Sequence, residues 1–135
     1  MSKGYGASCR KVSEDSECVL YEYYAYNLNE EKLRNPDRIY DGTILIQRSC
    51  LVEPEIHTKL KRMPKGRKKT IEKRIPVEVE LSECLSAGQI EITNSSFSWH
   101  FVSDNIDIMA IHLCRKVFRE YQETSMLPET CGYHV

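Results

Sequence analysis

Glu17-Cys18-Val19-Leu20-Tyr21-Glu22-Tyr23-Tyr24-Ala25-Tyr26-Asn27 is the stretch on which the fold turns. Aromatic and β-branched residues dominate it, the composition of a strand and not of a helix. Val19, Tyr21, Tyr23 and Ala25 fall on one face, and Cys18, Leu20, Tyr24 and Tyr26 on the other. Both faces are largely apolar, so the strand is expected near the middle of a sheet.

Working outward, residues 28–42 are polar, contain Asn35-Pro36-Asp37 and end in Asp41-Gly42, a loop closing in a turn. Thr43 to Gln47 reads as a second strand. Pro54 suits the first turn of a helix, Glu53 and Glu55 suit its positive end, and Ile56, Leu60 and Met63 repeat at helical spacing before Pro64. A helix over about 53–63 is therefore expected. Ile75, Val77, Val79 and Leu81 alternate with polar residues and read as a half-buried strand with Pro76 at its start. Gln89–Thr93 and Phe97–Val102 read as a hairpin. Asp104 is placed to cap a last helix, about 104–124, whose stripe of Ile106, Met109, Leu113, Val117 and Tyr121 needs a sheet to cover it. Segments 1–16 and 125–135 are expected as loosely ordered arms, and 64–74 as a basic loop. The sum is an α+β fold: an antiparallel or mixed sheet of about five strands, with the two main helices packed on one face. At 135 residues the chain is expected to be a single domain.

Composition excludes more than it identifies. Apolar residues are 41% and charged residues 29% of the chain, away from the disordered class. No apolar run reaches the roughly 18 residues of a membrane-spanning helix. The N-terminus lacks the pattern of a secretory signal, so a cytoplasmic protein with reduced thiols is expected. Six cysteines are present without a Cys-x-x-Cys, and His57, His100, His112 and His134 are isolated. That spacing offers no zinc site, and no metal or cofactor is expected. No nucleophile elbow and no phosphate-cradling glycine motif occurs. An enzyme using His57, His100 or Cys84 has no positive support in the sequence.

The anomaly is where charge sits. Residues 59–74 hold nine basic residues against Glu72, a net +8; residues 1–58 carry −3 and residues 75–135 carry −6. The formal net charge of −1 hides this segregation. Two binding readings follow. In the first, this is a small non-enzymatic protein that recognises another macromolecule by charge complementarity, as an immunity- or antitoxin-type protein would. Tyr5, Tyr40 and Tyr133, expected in loops, would then be protein contacts. In the second, Lys61, Arg62, Lys65, Arg67, Lys68, Lys69, Lys73 and Arg74 bind the phosphates of a nucleic acid or an acidic partner. The run contains no aromatic residue, so it has no platform for stacking bases. The surplus of aromatic surface slightly favours a homodimer.

Overall fold

In the computed structural model, which describes residues 3–62, 64–66 and 68–135 (only the backbone at 61 and 65), the chain runs through nine strands and two helices. They are β1 (Tyr5–Glu14), β2 (Cys18–Asn27), β3 (Gly42–Gln47), β4 (Glu55–Arg62), β5 (Lys68–Ile75), α1 (Leu81–Ser86), β6 (Ile90–Thr93), β7 (Phe101–Val102), β8 (Ile106–Asp107), α2 (Ile108–Thr124) and β9 (Thr130–His134). Five strands form one antiparallel sheet in the order β6-β3-β2-β1-β9, so β2 is its central strand. Residues from α1 and α2 join the core on one side of it. The architecture is thus α+β, with the long helix where the apolar stripe required one.

The two faces of β2 separate as their chemistry demands. Val19, Tyr21, Tyr23 and Ala25 are fully buried against Leu113, Cys114, Val117 and Phe118 of α2 and the rest of the core, while Leu20, Tyr24 and Tyr26 are half-buried on the outer side. Tyrosine in a core needs a partner for its hydroxyl, and both buried tyrosines find one. Tyr21 donates to the Pro128 carbonyl at 2.7 Å. Tyr23 donates to Asp107 at 2.8 Å and accepts the Ser95 N–H at 2.8 Å.

Asp107, not Asp104, caps α2: its side chain accepts from the Met109 N–H at 3.0 Å. Asp104 instead adopts a left-handed backbone conformation before the helix. Asp107 is fully buried and also accepts from the Ser98 hydroxyl at 2.9 Å. Burial raises its carboxyl above the ordinary range, against three hydrogen bonds that pull it down.

Several segments differ from the sequence reading. Residues 5–14 and 130–134, expected as arms, are sheet strands: β1 lies between β2 and β9. Small Ala7 and Cys9 are fully buried in the core. The expected helix over 53–63 is β4, paired along its length with β5, so the expected basic loop 64–74 is mostly strand too. No helical stripe is buried there; Ile56 and Leu60 stay exposed. The second helix is α1 instead, which buries Leu81 and Cys84.

Residues 76–80, expected within a strand, join no ladder, and Pro76 has no N–H to offer one. The buried Gln122 side chain replaces a neighbouring strand. It accepts the Val77 N–H at 2.6 Å and donates to the Val77 carbonyl at 2.8 Å. The expected hairpin over 89–102 is also absent: β6 pairs with β3 at the sheet edge, while β7 pairs with β8.

Candidate nucleic-acid interface

β4 and β5 form their own two-stranded antiparallel sheet, a ribbon separate from the five-stranded one. Eight residue pairs run from Glu55↔Ile75 at the base to Arg62↔Lys68 near the tip. Eight residues of strand extend about 27 Å. Thr58, Thr70, Ile71 and Ile75 supply β-branched side chains suited to a pleated ladder. Pro64-Lys65-Gly66 forms the turn, with Gly66 at φ 77°, a conformation glycine reaches without a Cβ penalty.

Every described side chain from 55 to 62 and from 68 to 74 is exposed, so the ribbon has solvent on both faces. Directly paired residues share a face. One face bears His57, Lys59, Lys69, Ile71 and Lys73; the other bears Ile56, Thr58, Leu60, Arg62, Lys68, Thr70 and Glu72. Its base is fixed by Arg74, which donates to the Gln122 carbonyl at 3.2 Å.

Density of positive charge, more than lack of ion pairing, divides the ribbon from the body, where Lys3, Lys32, Arg34, Arg38, Arg115 and Lys116 are likewise without a carboxylate within ion-pair distance among the described residues. Among the described residues, Lys59, Arg62, Lys68, Lys69 and Lys73 have no carboxylate within ion-pair distance; the ribbon's one such contact is His57 with Glu55. The register even sets like charges opposite each other, Arg62 with Lys68, and Lys61 with Lys69. Such pairs destabilise a ladder. An anion from outside would relieve that repulsion.

The eight cations singled out from the sequence divide accordingly. Arg62, Lys68, Lys69, Lys73 and Arg74 lie on the ribbon with exposed side chains. Lys61 lies in β4 and Lys65 in the turn, both by backbone position, and Arg67 lies outside the described residues. What sequence reasoning missed is the shape. A helix leading into a basic loop is expected; the backbone is a ladder.

The three tyrosines chosen as protein contacts are occupied within the molecule. Tyr5 packs edge-on to Trp99 at 5.4 Å. Tyr133 stacks on His112 at 4.2 Å. Tyr40 meets Tyr24 edge-on at 4.8 Å, under the Arg10 guanidinium at 3.9 Å. That last pair belongs to a cluster on the sheet's outer face which sequence reasoning did not find. Arg38 sits over Tyr26 at 4.7 Å, Tyr26 meets His134 Nδ1 at 2.8 Å, and Arg10 pairs with Glu22. Its cations and rings satisfy one another.

A second concave feature is an open groove of about 710 Å³ between residues 76–82 and α2. Arg115 and Arg119 line it together with Glu78 and Glu80, so it favours neither sign of charge. Of the groups considered for catalysis, His57 is exposed on the ribbon. Cys84 is buried near Cys50, whose thiol burial pushes up to about 12. Among the described residues, no three His, Cys, Asp or Glu side chains are placed to hold a metal ion. Among the described residues, no helix is long and apolar enough to cross a membrane. No protein-family model, no curated protein and no solved structure matches this chain.

Proposed function

We propose that this protein binds nucleic acid, and that the β4–β5 ribbon is the element that does so. The observation that carries the reading is the concentration of positive charge on one exposed ladder: residues 59–74 carry a net +8, and five described cations there are exposed and without a carboxylate in ion-pair range. Phosphate is the anion that meets cations spaced along an extended element, and releasing its condensed counterions drives the association. Charge elsewhere supports the same mode. Residues 1–58 and 75–135 carry −3 and −6, so the body repels a polyanion and the ribbon is the part that approaches.

Recognition of a protein through acidic faces was the first expectation from sequence. It rests on the segregation of charge together with the surplus tyrosines; Tyr5, Tyr40 and Tyr133 each make an intramolecular ring contact and stay partly exposed. An acidic protein partner for the ribbon is the competing reading. The two separate in one titration of the intact protein, followed by anisotropy of labelled nucleic acid at low salt. Binding that weakens when Lys68, Lys69 and Lys73 are replaced by Ala supports the proposal. Absence of binding at low salt ends it.

A further inference from the structure

We infer that the ribbon's ligand is B-form duplex DNA, entered through the major groove. The inference rests on the nucleic-acid reading above and narrows it to one substrate class.

Three observations point this way. First, no Phe, Tyr or Trp occurs between 53 and 75. Single-strand binders gain much of their affinity by stacking bases on successive aromatic rings, and this surface offers only the His57 imidazole. Second, the element is a two-stranded antiparallel ribbon with both faces in solvent. Its strands lie about 4.8 Å apart, and with side chains such a ribbon fits the major groove of B-DNA, about 12 Å wide. The major groove of A-form RNA is deep and narrow and closed to side chains. Third, the register places both kinds of contact on the ribbon. Arg62 and Lys68, on the same face as Thr58, Leu60 and Thr70, are exposed and can meet phosphates at the groove's edge, while Lys59, Lys69 and Lys73 lie on the opposite face. Thr58 and Thr70 can donate or accept at base edges, and Leu60 beside them, 66% exposed, can meet the thymine methyl. An exposed leucine between two threonines on a cationic ribbon has no role in the core of this protein.

The acidic body requires an element that reaches. A body of negative sign is repelled by the phosphate backbone, and a ladder of about 27 Å carries the cations away from it.

The test titrates the full-length protein against three labelled ligands of one sequence at low salt: a DNA duplex, the DNA single strand and the RNA duplex. A fourth ligand is the DNA duplex with glucosylated 5-hydroxymethylcytosine, which fills the major groove. The expected result is DNA duplex bound at least about tenfold more tightly than the other two, a margin of one good base-edge contact. Binding should fall by a similar factor on glucosylation, and in R62Q/K68Q. Equal binding of all three ligands that still depends on the ribbon cations would overturn this inference and leave nucleic-acid binding intact. Preference for the duplex unaffected by glucosylation would overturn the groove assignment. Absence of binding to any of the four would remove both readings.

Discussion

Removing a single oxygen from Tyr23 should destabilise the protein by an amount that depends on pH in a defined direction. The Tyr23 hydroxyl accepts the Ser95 N–H at 2.8 Å and donates to Asp107 at 2.8 Å, and tyrosine and carboxylate are both fully buried. Tyr23→Phe leaves the backbone N–H without a partner and takes one donor from a buried charge. An orphaned buried donor costs about 1–3 kcal/mol, and a hydrogen bond to a charged group is worth about 1.5–3 kcal/mol, so the sum is roughly 3 kcal/mol. Unfolding entropy of about 2.1 cal/mol/K per residue over 135 residues converts this to a fall in Tm of roughly 10 °C.

The pH dependence follows from Asp107. Its carboxyl titrates above the ordinary value because it is buried, so its contribution to stability is fully present below the unfolded pKa and is lost as pH rises through the folded one. The Tyr23 hydroxyl is a donor that favours the carboxylate. Its removal lifts the folded pKa further, so the penalty is larger at pH 7 than near pH 4 (about the unfolded value). Thermal unfolding of wild type and Tyr23→Phe, followed by circular dichroism at both pH values, measures this. A loss under about 3 °C, or a penalty greater in acid, would refute the assigned network.

Other substitutions test neighbouring parts of the account. Gln122→Ala should cost about 1–3 kcal/mol by unpairing the Val77 backbone, with faster amide exchange at Val77 as the specific readout. At Gly42 an added Cβ would sit 2.2 Å from Tyr23 Cε1, so Gly42→Ala should cost about 1–3 kcal/mol through overpacking, measured by urea denaturation. The buried thiols of Cys50 and Cys114, each pushed up to about 12 with burial as the main cause, should react with a thiol reagent only after denaturation. Rapid reaction of either in the folded protein would contradict the described core.

Much of the sheet was legible because its signals are local. Alternation of Val19, Tyr21, Tyr23 and Ala25 names a strand and its buried face without further information. The stripe on residues 108–124 likewise names a helix. Pairings that depend on distant sequence were not legible. β1 reads as a polar, glycine-containing arm, yet Cys9 lies opposite Cys131, more than a hundred residues away. The ribbon was misread for a different reason. Ile56 and Leu60 are four apart, a spacing that keeps two residues on one face of a helix and equally on one face of a strand. Helical spacing at 53–63 was therefore real but not diagnostic, and pairing with 68–75 decided the outcome. Alternation at 75–81 misled in a similar way: Ile75 ends β5, residues 76–80 join no ladder and Leu81 begins α1. Of the candidate site, sequence revealed the charge, because charge is additive along a chain. It could not reveal that the cations lie on an ordered ladder away from the carboxylates.

The account depends on five described cations of the β4–β5 ribbon being free to meet phosphate. The most direct measurement is the dependence of DNA affinity on salt for wild type and K59Q/K69Q/K73Q. With a slope of about −0.9 per phosphate contact, the wild type should show log K against log salt falling with a slope near −4.5, and the variant one shallower by about 2.7. Equal slopes, or a wild-type slope near zero, would contradict it.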